Sequence, residues 1–203
     1  MPRALSSDDI ADFRERLCDA AETLFAEHGT EAVTIRQLAA KLGVSPMTPY
    51  RYFKDKDAIL AAVRARGFDR FAAALEGAHG RRRRDPEGRA HVIGEAYVRF
   101  AFDNPQAYKL MFDITQAGEE LYPDLVRAAE RARATMTLHL EGPANGAARE
   151  DLNLIGHAYW AAMHGPIMLQ LSGKLAPPVD ASALIDVLTG ALARTTGLLN
   201  RDP

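Results

Sequence analysis

Apolar residues recur at steps of three and four from Ile10 to Leu199, and nowhere does a stretch alternate apolar with polar between turn dipeptides. A three-four period lines side chains along one face of a helix, whereas a half-buried strand needs a period of two. The chain is therefore expected to be all-α, with about nine helices each burying one stripe. Abundant Ala and an aromatic share of only 7% favour close-packed helices in the same way. With 47% apolar and 26% charged residues, disorder and fibrous folds are excluded. A length of 203 residues gives one ordinary domain or two small ones.

Caps and breakers divide the pattern. Ser7 and Asp8 are candidate caps for a helix carrying Phe13, Leu17, Ala21 and Phe25, and Gly29 ends it. Thr34 with Gln37 three residues on has the form of a capping box, and Gly43 closes that second helix. Ser45-Pro46 restarts helix, with proline at a first position where its missing N–H costs nothing. Asp55 or Asp57 opens a fourth helix running to about Gly77. The stretch His79 to Pro86, with its Arg81–Arg84 run, reads as a solvated linker. Further helices follow over roughly 87–103, 104–112, 118–140, 147–172 and 182–199. Inside the longest of these, Gly165-Pro166 predicts a break: a kink, or a stop at His164 and a restart at Pro166.

Net charge is −2, so any attraction to a polyanion has to be local. It is concentrated between Thr34 and Lys56, where Arg36, Lys41, Arg51, Lys54 and Lys56 face a single acid, Asp55. Two short helices joined by Gly43-Val44 in such a segment have the form of a helix-turn-helix. Ser45, Thr48, Tyr50 and Tyr52 can bond sugar-phosphate, the lysines can neutralise phosphates, and Arg36 and Arg51 reach guanine O6 and N7. The bland reading, five cations keeping one face solvated, stays open on these grounds alone.

The stretch from Leu17 through Phe25-Ala26-Glu27-His28-Gly29, then Val33-Thr34-Ile35-Arg36-Gln37-Leu38-Ala39, Gly43-Val44-Ser45, Thr48, Tyr50, Tyr52-Phe53 and Lys56 closely resembles the N-terminal domain of the TetR family of bacterial transcriptional repressors. The resemblance implies DNA contacts from Thr34, Arg36, Ser45, Met47, Thr48, Tyr50, Arg51 and Tyr52, with Lys56 on a phosphate. Pro49 stands where the family usually has Leu, inside the short reading helix, and is expected to distort it. Farther on, Trp160-Ala161-Ala162-Met163-His164-Gly165 is similar to the Trp…His-Gly signature of one C-terminal subfamily, and Asn104 to Phe112 looks like its companion segment. The resemblance implies three parts: residues 1–56 bind DNA, 57–80 form a connecting helix, and 81–203 bind a ligand and dimerise. The expected partners are a double-stranded, palindromic operator, a second copy of the chain and a small apolar or aromatic effector, with release of the operator as the output. His91, Phe100, Tyr108, Met111, Phe112, Trp160, Met163 and His164 are the candidate ligand residues. Trp160 and His164 fit a packed core as readily as a ligand wall.

Other features point to little chemistry. One cysteine, Cys18, beside the apolar stripe of the first helix, excludes an intrachain disulfide and reads as a small core residue. His157 and His164 are two turns apart, too far to share a metal. No nucleophile set, phosphate-binding loop or carboxylate pair is present, so neither catalysis nor a cofactor is expected. The first ten residues carry Asp8 and Asp9 without an apolar run, and no 18 apolar residues are consecutive. A cytoplasmic protein without a membrane partner is expected. The alternative is a small-molecule-binding or enzymatic helical protein with a vestigial helix-turn-helix.

Overall fold

The computed structural model describes residues 6–79, 86–112, 118–138 and 149–195. Every regular element among them is helical. Eight α-helices appear: α1 (Ser7–His28), α2 (Ile35–Lys41), α3 (Lys56–His79), α4 (Pro86–Asp103), α5 (Pro105–Met111), α6 (Pro123–Thr135), α7 (Arg149–Leu171) and α8 (Ala181–Thr195). Two 3₁₀ turns, Pro49–Arg51 and Glu119–Leu121, complete the set. No described helix is long and apolar enough to cross a membrane. The Arg81–Arg84 run, the 139–140 end expected for the helix after Gly118, and Leu199 lie outside the described residues.

Local chemistry accounts for most boundaries. The cap of α1 is Ser6, one residue before the expected pair, because its hydroxyl accepts the Asp9 N–H while the Asp9 carboxylate accepts the Ser6 N–H. The Ser6 N–H and hydroxyl both donate to the Asp9 carboxylate and hold it below the usual carboxylate range. Thr34 and Gln37 form the expected box at α2. The Asp55 carboxylate accepts from the Ala58 N–H at 2.8 Å and so caps α3. Asp180 accepts from Ala183 N–H at 2.8 Å, and Gln170 from Ala181 N–H at 2.7 Å, which together fix the start of α8.

Two expectations are corrected. The third helix of the N-terminal trio is a 3₁₀ turn beginning at Pro49, not an α-helix capped by Ser45. Helix α7 runs unbroken through Pro166 rather than ending at His164. Proline deletes one N–H, and Gly165 before it brings no Cβ to crowd the ring, so the ladder resumes on either side.

Contacts divide the chain into two compact units: residues up to 69 with 106–129, and residues 70–105 with those from 130 onward. In the first, Leu17, Phe25, Leu38, Ile59 and Leu110 share one buried cluster, so α5 joins the core of the N-terminal helices. Cys18 is buried there, and desolvation pushes its thiol upward against the pull of Arg66. In the second, Phe71 meets Tyr97 and Phe100 edge-on at 5.0 and 5.2 Å, and α7 packs on both α4 and α8.

Candidate nucleic-acid interface

The segment between α2 and α3 owes its shape to one residue. Pro49 has no N–H to offer the Ser45 carbonyl, so that carbonyl accepts from Thr48 N–H instead, at 2.9 Å. Arg51 N–H then donates to Thr48 (3.1 Å), and Tyr52 N–H to Pro49 (3.0 Å). Successive i→i+3 bonds are 3₁₀ geometry. Pro49 itself is buried, so the turn is anchored from beneath.

A second anchor comes from α1. Arg14 donates to the Tyr52 carbonyl at 2.6 Å and lies 4.1 Å above the centre of the Phe53 ring, while Phe13 stacks on the Tyr52 ring at 4.2 Å. Arg14 is a positioning residue that sequence reasoning missed. Its partners are about forty positions away, and no local spacing signals them.

What this framework presents to solvent is specific. Arg36, Ser45, Met47, Tyr50 and Arg51 are exposed, and Thr48 and Tyr52 are half-buried beside them. Thr34 is exposed too, but its hydroxyl donates to Gln37 Oε1 at 2.8 Å and accepts from the Gln37 N–H. Lys56 is bonded within the chain as well. Its ammonium donates to the Thr30 carbonyl at 2.9 Å and the Glu31 carbonyl at 3.3 Å, so two of its three donors hold the α1–α2 connection.

The remaining candidates are split between the units. Tyr108 and Met111 are fully buried in the first unit, and Phe112 meets Phe68 and Tyr108 edge-on. Arg64, almost wholly buried, donates to the Met111 carbonyl at 3.1 Å and pairs with Glu119. In the second unit, Phe100 and Met163 are buried, and the Trp160 and His164 rings lie 6.4 Å apart. Burial pushes the His164 imidazole below its ordinary value, which favours the neutral ring. His91 lies on the surface of α4, 3.2 Å from the Glu95 carboxylate one turn away. Among the described residues, no group of three His, Cys, Asp or Glu side chains is placed to hold a metal.

Residues 17–63 match the family model described as bacterial regulatory proteins of the tetR family, and residues 90–192 match the tetracyclin repressor-like C-terminal domain. The chain belongs to the TetR family of transcriptional regulators. Relatives that match most of the chain's length agree with this. The chain is 30% identical to the HTH-type transcriptional regulator BetI of Rhizobium meliloti, over 91% of each chain. It is 25% identical to an uncharacterised HTH-type transcriptional regulator of Mycobacterium tuberculosis, over 89% of this chain and 79% of the other. The fold is that of the TetR-family regulator PfmR from Thermus thermophilus, with a TM-score of 0.64 over 88% of this chain and 97% of that one, at 24% identity. In this TetR-family chain the segment between α2 and α3 carries a 3₁₀ turn anchored by the buried Pro49.

Proposed function

We propose that this regulator acts in the cytoplasm as a homodimeric repressor, bound to a palindromic operator through the segment Thr34–Lys56 and released by a small apolar or aromatic effector. The observation that carries the DNA interface is the exposure of Arg36, Ser45, Met47, Tyr50 and Arg51 around a turn fixed by Pro49 and Arg14, in a basic segment of a chain whose net charge is −2. Arginines supply bidentate donors to base edges, and Ser45, Thr48, Tyr50 and Tyr52 supply hydroxyls to phosphate oxygens. Thr34 and Lys56 act by holding the start of α2 and the connection that leads into it. A two-fold dimer carrying two such turns about 34–36 Å apart matches one turn of B-DNA, which requires a palindrome.

The effector reading rests on the second unit. Phe100, Trp160, Met163 and His164 are apolar or neutral groups gathered on α4 and α7, suited to an aromatic or acyl ligand with one polar end for His164. Tyr108, Met111 and Phe112 serve packing, and His91 lies on the surface beside Glu95.

Fluorescence anisotropy on the duplex upstream of the protein's own gene, over a range of salt, tests the DNA interface. Affinity should fall steeply with salt. Tyr50→Ala and Arg51→Ala should each weaken binding about tenfold with an unchanged thermal transition, the loss typical of one good contact. Unchanged dissociation constants in both variants would remove the interface. Trp160 is the only tryptophan, so quenching of its emission by aromatic and acyl probes reads the effector site directly.

A further inference from the structure

The reading segment has an uneven vocabulary for base pairs. Between Thr34 and Lys56 there is no Asn and a single Gln, Gln37. An amide side chain reads adenine with two bonds, its oxygen accepting from N6 and its nitrogen donating to N7. Both lone pairs of Gln37 Oε1 are already taken, by the Thr34 N–H and the Thr34 hydroxyl, each at 2.8 Å. Reading adenine would dismantle the cap of α2. Guanine is provided for by the exposed forks of Arg36 and Arg51. No amide is left for an A·T pair.

What the turn does offer is apolar. Met47 is 68% exposed and Tyr50 49% exposed, three residues apart across successive i→i+3 turns. Both side chains are exposed, and so can be covered when a partner binds this turn. The backbone between them is anchored, since Pro49 is buried and Arg14 donates to the Tyr52 carbonyl at the end of the turn. A methionine offers a flexible, polarisable contact to a methyl group, and thymine alone among the four bases carries one in the major groove.

We propose that Met47 is a specificity residue for thymine, its thioether side chain packing on the 5-methyl group of a half-site base while the arginines read guanine. This rests on the DNA-binding reading above. The thymine partner is distinct from a phosphate contact because it carries no charge and no salt dependence.

The test uses the full-length protein and a duplex that it selects from a random library. Each half-site thymine is replaced singly by deoxyuridine, which deletes the methyl group and leaves the pairing edge and phosphates unchanged. One or two positions should lose about fourfold in affinity, the worth of one buried carbon. Met47→Ala should bind the thymine and deoxyuridine duplexes equally. Equal affinity of the wild type for both duplexes overturns the proposal, as does a fourfold loss that persists in Met47→Ala, which would assign the methyl to another side chain. A library that enriches no duplex, with no salt-dependent retention of any DNA, overturns the DNA-binding reading itself and the thymine contact with it.

Discussion

Lys56, Arg14 and Arg64 are cations that donate to backbone carbonyls of the protein, Thr30 and Glu31, Tyr52, and Met111, and Arg64 also pairs with Glu119. A charged donor on a carbonyl is among the stronger hydrogen bonds, worth about 1.5–3 kcal/mol, and each of these ties together segments far apart in sequence. A basic residue in a basic segment is thus not automatically a phosphate ligand. Lys56→Met should lower stability by about 1–2 kcal/mol in urea denaturation, because the half-exposed carbonyls it leaves can be rehydrated. The same variant should leave the slope of log affinity against log salt nearly unchanged. A slope reduced by one phosphate's worth, with stability intact, would return Lys56 to the DNA.

At the scale of elements, helix spacing is set where a side chain is missing. A Cβ on Gly156 of α7 would lie 2.8 Å from Thr137 Cγ2 and 3.5 Å from the Met136 carbonyl oxygen, closer than a well-packed interior allows. Gly156→Val should therefore cost about 1–3 kcal/mol, seen as a lower melting temperature. Gly77 of α3 is the contrasting case, with nothing within 4 Å of its virtual Cβ. Gly77→Ala should raise stability by roughly 0.5–1 kcal/mol, since only backbone entropy and helix propensity change. If both variants melt alike, close approach at Gly156 is not what holds α7 in place. Pro49 acts at the same scale by a different route, removing a donor rather than a volume, and turns what would be a short α-helix into a 3₁₀ turn.

At the scale of the molecule, α7 and α8 pack against each other yet leave large apolar side chains in water: Leu154 and Leu169 on one, Val187 and Leu188 on the other. The proposed homodimer would cover them, because an unpaired apolar face of this kind is stabilised by association. Val187 is 66% exposed, so Val187→Glu disturbs little within one chain. It should sediment as a monomer at micromolar concentration with unchanged helical circular dichroism, and lose operator affinity. A wild type that is itself monomeric there would contradict the dimer.

Features decided within four or five residues were legible in the sequence. The Thr34–Gln37 box, the stop at Gly43 with φ 67°, and the disturbance at Pro49 all appear where the local pattern places them, because caps, left-handed turns and missing donors act on neighbouring backbone. At Pro166 the stop and restart did not occur, since a helix packed on two neighbours tolerates one absent N–H. Partner choice across the chain was not legible. Periodicity gives a buried face without saying what it buries against, so Leu110 joining the cluster of Leu17 and Phe25 could not be read from spacing. The same holds for charge. Asp69 pairs with Arg127 across 58 positions and Arg64 with Glu119 across 55, and only the folded chain brings such groups within the few ångströms where attraction outweighs solvation.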